Sequence, residues 1–346
     1  MNVMTAHIPD ITPQDLNTLR QTHNRFSVLN SPIAQAVNTI NSSLYYGASL
    51  FAQHYGYTWI EVPTITKVTG ACENVDTLHA IDYHGAEAYL AQTGQLYLEA
   101  AMTTFDKVYT SITSSRAEKE KDKRHLNQFT LLEIEQHGPF EELLPSIENM
   151  IKHMLFEAKH GARAALQALE RYDEICRWLA EPFARITYTD AIHLLQGTEH
   201  ALSWGDDFKS EHEQYIIQEL GNKPTFITHF PKAIKFFNMR QNDDNPDIVN
   251  SSDLIMPYSG ETVGAAEREN NYDRLVERLQ QSEMFKKLKT RGKSLDDFED
   301  YLTMVKENPI LHSGCGIGFG RLSQAVLGVD DIRIATPYPL QPGTLY

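Results

Sequence analysis

Cysteine is scarce in this sequence. Cys72, Cys176 and Cys315 are its only three, far apart and without a CxxC pair. That removes a zinc ribbon and a disulfide framework, and it fits a reducing, cytoplasmic setting. No apolar run approaches the roughly 18 residues a membrane helix needs. The opening MNVMTAHIPD has no basic region followed by an apolar one, so neither a membrane span nor a secretory leader is expected. Positive charge is also short: 31 Lys+Arg stand against 46 Asp+Glu, a net charge of −15 over 346 residues. Such a balance opposes wrapping a polyanion by bulk attraction, although it leaves room for a local basic patch. GxxxxGK[ST], GxSxG and HExxH are all missing, and the histidines are scattered without ligand spacing. P-loop, serine-hydrolase and zinc-protease chemistry drop out with them.

What remains is ordinary globular material, with 41% apolar and 22% charged residues. Ser31-Pro32 reads as an N-cap followed by proline at the first helical position. Ile33, Val37, Ile40, Leu44 and Phe51 then mark one face of a long helix that Gly56 ends. Strands are expected at 57–62, 88–93, 108–114 and 129–135, and a helix at 95–105. A helical region spans 141–179 with a break near Gly161. Further strands are expected at 184–189, 225–229, 253–256 and 261–265, and helices at 271–283, 295–306 and 321–327. Without a βαβ rhythm, this order predicts an α+β fold built on an antiparallel sheet flanked by helices. A single domain is expected over 31–346, preceded by an extension at 1–30.

Three constellations carry chemistry. In Gly314-Cys315-Gly316-Ile317-Gly318-Phe319-Gly320-Arg321, glycine falls at every second position. As a strand, such a run has one face bare of side chains, and a bare face marks close approach by a ligand or another backbone. As a loop, it is only a flexible glycine run; this segment alone leaves both readings standing. Arg321 follows where the strand would become a helix. The second constellation is Ser115-Arg116-Ala117-Glu118, the charged loop KEKDK, and Arg124-His125-Leu126-Asn127-Gln128-Phe129. It reads as a hairpin with basic residues at its mouth, able to grip phosphate or carboxylate, or else as a solvated tip. Third, Asp253 and Glu261 lie on neighbouring strand candidates, with Arg268 beyond. Paired carboxylates beside phosphates suit Mg²⁺, though acidic residues flanking a turn are common. With no evident nucleophile, the set points to phosphate chemistry driven by positioning and charge stabilisation.

Taken in order, ACENVDTL (71–78), AYLAQTGQLYLEA (88–100), SRAE and RHLNQF (115–129), FPKAIKFFNMRQNDD (230–244), SDLIMPYSGETVGAAERE (252–269) and GCGIGFGRL (314–322) resemble the catalytic core of class II aminoacyl-tRNA synthetases, asparaginyl branch. The resemblance implies a homodimer that binds ATP and activates an amino acid as its adenylate. The segment ending in Pro63 resembles the dimer element. Arg116 would bridge the amino-acid carboxylate and the α-phosphate. Glu118, Arg124 and His125 would hold ATP, with Phe129 under the adenine and Arg321 over it. Asp253 and Glu261 would hold Mg²⁺, Glu261 also facing the nucleotide. Glu73 would meet the α-ammonium, Gln95 would line the pocket, and Arg268 would reach the substrate side chain. Leu98 stands where aspartyl enzymes carry lysine, and Glu99 follows. A carboxylate there accepts from an amide and repels aspartate, so asparagine or a close analogue is the expected substrate.

The chain departs from that pattern as well. Its few residues before the first helix leave no room for the oligonucleotide-binding barrel of about 100 residues that reads the anticodon. Ser115, Asn127-Gln128, Gly264-Ala265-Ala266-Glu267, Gly320 and Leu340 replace customary residues. An acceptor other than tRNA is therefore expected, while tRNA charging stays possible through the acceptor stem. Ammonia-dependent asparagine synthesis through aspartyl-adenylate is a competing reading, which Leu98 counts against. A non-catalytic nucleotide sensor is a third.

Overall fold

Alternation along the strands sorts the central sheet into an apolar face and a polar face, and that sorting places everything else. The computed structural model describes residues 11–21, 25–67 and 75–344. Its strands are β1 (Thr58–Trp59), β2 (Ile65–Thr66), β3 (Ala80–Tyr83), β4 (Ala86–Leu90), β5 (Lys107–Ser115), β6 (Gln128–His137), β7 (Ala184–Thr187), β8 (Thr225–Thr228), β9 (Ser251–Met256), β10 (Gly260–Glu267) and β11 (His312–Gly318). Eight of them form one sheet in the order β1-β5-β6-β11-β10-β9-β8-β7, and β2-β4-β3 make a small side sheet. From β5 across to β8 every neighbouring pair is antiparallel, as expected. The edge strands β1 and β7 instead run parallel to their neighbours. The sheet is thus mixed rather than purely antiparallel.

On the apolar face, Leu132 and Ile134 of β6, Cys315 and Ile317 of β11, Val263 and Ala265 of β10, and Leu254 and Met256 of β9 join one core. Helices Pro32–His54, Phe140–Gly161 and Phe319–Leu327 cover it. The first starts as its sequence dictates, the Ser31 hydroxyl accepting a hydrogen bond from Ala34 N at 3.3 Å. The expected 141–179 region resolves into Phe140–Gly161, Arg163–Ala168 and Tyr172–Ala180.

Some expectations shift. The 57–62 strand shrinks to two residues, since only Thr58 and Trp59 pair with β5 before the chain leaves toward Pro63. The 95–105 helix ends at Ala101. The 184–189 strand stops at Thr187, whose hydroxyl accepts from Asp190 N and caps a helix, Tyr188–Leu195. Its aromatic and β-branched residues resemble strand, but a local cap overrides that propensity. Helix Ser210–Glu219 has no counterpart among the expectations because its apolar periodicity is short.

The opposite, polar face is where glycine matters. Gly314, Gly316 and Gly318 alternate with the buried Cys315 and Ile317, so β11 is a strand with a bare face, and Gly320 already belongs to the following helix. At Gly314, paired with Glu135 across the ladder, a Cβ would collide with the Glu135 carboxyl group. A bulge between Glu261 and Val263 adds one residue to β10. It turns Glu261 onto the face shared by Ile255 and Asp253, as bulges do when they re-aim a side chain. Gly314→Ala is expected to cost about 1–3 kcal/mol through overpacking. Gly316→Ala should cost little, because a Cβ there would lie 3.8 Å from the nearest neighbour, the Glu133 side chain. Thermal unfolding of the two variants checks the contrast.

Candidate active site

A cavity of about 370 Å³ opens on the glycine face, within the range of small-molecule sites. The hairpin β5–β6 lends it Arg116, Glu118, Arg124, His125 and Phe129; β9, β10 and the residue just beyond supply Asp253, Glu261 and Arg268. Gln95 and Arg321 complete the expected residues along its wall. Glu73 lies outside the described residues.

One end is cationic. The Arg116 guanidinium sits 5.4 Å from the Phe129 ring centre, a cation–π spacing. Arg124 Nη2 donates to Glu213 Oε2 at 2.7 Å. That pair lies against Gly260, which has φ +70° and where a Cβ would stand 2.6 Å from Arg124 Nη2. Burial pushes the Glu213 carboxyl up to about 7, against the pull of Arg124. Arg321, at the start of helix Phe319–Leu327, donates from Nη1 to Ser259 O and Glu261 O at 3.1 Å each. Burial, then the neighbouring Arg124 cation, lowers its pKa to about 10. The group stays charged at neutral pH, and with Arg116 and Arg124 it lines one cavity, where guanidinium forks suit phosphate or carboxylate.

The carboxylate side holds a residue the sequence reading missed. Lys235 Nζ donates to Asp253 Oδ2 at 2.6 Å, both groups being mostly buried. Burial pushes Asp253 up to about 7; Lys235 opposes the shift and the Glu261 charge adds to it. Two mutually repelling carboxylates on adjacent strands are a fitting oxygen-donor set for Mg²⁺, which takes few protein ligands and completes its shell with phosphate and water. Among the described residues no group of three or more potential metal ligands occurs.

The floor corrects the expectation for Glu99. This residue is 1% exposed and stands behind the wall, where its carboxylate is taken by its neighbours. Gln95 Nε2 donates to Oε1 at 2.6 Å, Asn238 Nδ2 to Oε1 at 3.1 Å, and the Tyr301 hydroxyl to Oε2 at 2.9 Å. Burial alone would raise its pKa, but His312 and Arg268 hold it below the ordinary value. On this side the carboxylates that line the cavity are Glu133 and Glu135 of β6. Arg268 donates to Glu135 Oε1 from Nη2 at 2.5 Å and from Nε at 3.0 Å. Glu135 Oε2 is buried without a hydrogen-bond partner among the described residues. Glu133 accepts from Gly94 N at 2.8 Å and from the Thr93 hydroxyl. Leu98, fully buried, also lines the wall. A signal for this pair was present: Glu133 and Glu135 alternate with the apolar Leu132 and Ile134 and so share the opposite face of the strand.

Comparison with known proteins places this geometry. The sequence profile described as "tRNA synthetases class II (D, K and N)" matches residues 17–342. The chain belongs to that family. Its members are ATP-dependent ligases that form aminoacyl-adenylates, and this chain is one of them. An asparagine–tRNA ligase of Thermococcus gammatolerans is 32% identical over 339 residues, covering 97% of this chain and 75% of that protein. One from Streptococcus pneumoniae is 36% identical, with coverages of 95% and 73%. The asparaginyl-tRNA synthetase of Pyrococcus horikoshii, solved in complex with asparaginyl-adenylate, superposes with a TM-score of 0.82 at 31% identity, covering 94% of this chain and 74% of that one.

Of this synthetase's buried carboxylates, Glu133 gives a clean test. Burial raises it from 4.5 to about 7, the Thr93 and Gly94 hydrogen bonds opposing the shift. Its contribution to stability is therefore complete below the unfolded-state value and is lost as pH rises through about 7. Relative to Glu133→Gln, the unmodified protein is expected to lose on the order of 3 kcal/mol between pH 4.5 and 8. Denaturant unfolding of both proteins across that range measures the difference.

Proposed function

We propose that this synthetase activates asparagine with ATP, and that the observation carrying the choice is the acceptor-rich floor. Glu133 and the unpartnered Oε2 of Glu135 face the cavity, Leu98 supplies no cation, and Arg268 is already drawn toward Glu135. An amide NH₂ suits such a floor; a second carboxylate would meet buried negative charge with little to answer it. The amide oxygen would turn to Arg268.

Activation joins an amino-acid carboxylate oxygen to the α-phosphorus and breaks the α–β phosphoanhydride, releasing pyrophosphate. Both reactants are anions, so approach depends on fixed cations. Arg116 at the hairpin mouth would bind the carboxylate and α-phosphate together. Arg124 and His125 would hold the outer phosphates, Glu118 the adenine edge, and Phe129 and Arg321 the ring and the γ-phosphate. Asp253 and Glu261 would hold Mg²⁺, which when bound offsets phosphate charge, while Lys235 keeps Asp253 neutralised in the free site. No covalent bond to the protein is needed.

For the second step, the relatives are named as ligases of asparagine to tRNA. Those names support tRNA as the acceptor here, in place of the acceptor other than tRNA that the sequence suggested. Tyr45, Tyr46 and Trp59 are exposed beside the segment that resembles the family's dimer element, which supports a homodimer. No helix among the described residues is long and apolar enough to cross a membrane.

Amino-acid-dependent ATP–pyrophosphate exchange tests the reading. Exchange is expected with asparagine and not with aspartate. Arg321→Ala should lower it about 100-fold or more, in the range seen on removing a charge-stabilising donor. Exchange with aspartate, and asparagine formed on adding ammonia, would overturn the asparagine assignment; full activity of Arg321→Ala would remove the role given to that arginine.

A further inference from the structure

The loop that carries Arg124 and His125 is held from behind. Its carbonyls from Asp122 to His125 all accept hydrogen bonds from the stretch between Arg321 and Gln341. Gln341 Nε2 donates to Asp122 O and to His125 O, each at 2.7 Å. Ile332 N donates to Lys123 O at 2.9 Å, and Arg321 Nε to Arg124 O at 2.9 Å. A little further on, Asn127 N donates to Leu340 O at 2.8 Å. The loop's other side closes on itself, Asp122 Oδ1 accepting from Arg124 N and His125 N at 2.7 Å each.

Gln341 does not line the cavity, yet it is only 4% exposed. A small turn sets its place: Gln341 N donates to Thr344 Oγ1 at 2.8 Å, and that hydroxyl donates to Gln341 O at 2.7 Å. One side-chain amide therefore clamps both ends of the segment that brings Arg124 and His125 to the cavity. A long hairpin loop left alone would have to be ordered when its ligand binds, and that entropy would be subtracted from affinity. Here the ordering is completed on folding.

We propose that Gln341 is a positioning residue for the nucleotide, acting through the carbonyls of Asp122 and His125 to preset Arg124 and His125. The inference rests on the reading of this cavity as an ATP site. It locates that site's preorganisation in a strap from a distant part of the chain.

The test compares Gln341→Met, which keeps the volume and removes the donors, with Gln341→Ala. Three quantities are read in the full chain: amide hydrogen exchange of residues 122–127 without ligand, calorimetric affinity for a non-hydrolysable ATP analogue, and KM for each substrate in pyrophosphate exchange. Both variants should speed loop exchange about tenfold or more, with a similar rise in analogue Kd and KM for ATP, as expected for two lost hydrogen bonds. KM for asparagine and the melting temperature should stay near their original values. Unchanged loop exchange and analogue affinity in Gln341→Met would overturn the proposal, as would equal rises in both KM values. Should the unmodified protein exchange pyrophosphate with no amino acid, the functional reading fails, while loop exchange and analogue affinity still decide the role of Gln341.

Discussion

The ion pair of Arg268 and Glu135 lies against the one point of β11 where Gly314 leaves space for it, and the floor of the cavity is arranged around that pair. Two charges removed from water cost several kcal/mol each unless geometry and further hydrogen bonds compensate. Compensation comes from a shell at the back. Glu99, itself bonded by Gln95, Asn238 and Tyr301, approaches Arg268 at 3.9 Å and His312 at 3.6 Å. Burial would discharge His312, but the Glu99 and Glu135 charges hold its pKa above the ordinary value. Glu99 thus works at one remove: it fixes the groups that face the ligand.

Such a floor is possible only because the sheet has one face for packing and another for chemistry. Alternation sends Leu132, Ile134, Cys315 and Ile317 into the helix-covered core and Glu133, Glu135 and the glycines to the other side. The bulge in β10 breaks that alternation once, and Glu261 joins Asp253 as a result. A protein with a net charge of −15 can still bind an anion when Arg116, Arg124 and Arg321 converge on one concave wall. Local fields in a low-dielectric cleft outweigh a distant, screened surplus of opposite sign.

The arginines also show how position is divided among distant segments. Arg124 is oriented by Glu213 from helix Ser210–Glu219, while the loop beneath it is clamped by Gln341. Arg321 serves twice, its Nε holding Arg124 O while its Nη1 reaches the β9–β10 turn and the start of β10. Rigid support of this kind is what electrostatic catalysis requires, since dipoles and charges that must reorganise lose much of their effect.

Sequence alone determined the features governed by local rules. The Ser31-Pro32 cap, the alternating glycines, the basic hairpin mouth and the paired acids on adjacent strands follow from steric and periodic constraints acting within a few residues. Nine of the expected site residues sit in or beside such motifs, Gln95 was named through the family resemblance, and the cavity gathers all ten. Tertiary structure decided the rest. Lys235 at Asp253, Glu213 at Arg124, Gln341 beneath the loop and the withdrawal of Glu99 behind Gln95 all join segments that are distant in sequence, or depend on which face of a short helix is covered. No local pattern encodes those meetings, because a buried charge chooses its partner by where the folded chain excludes water.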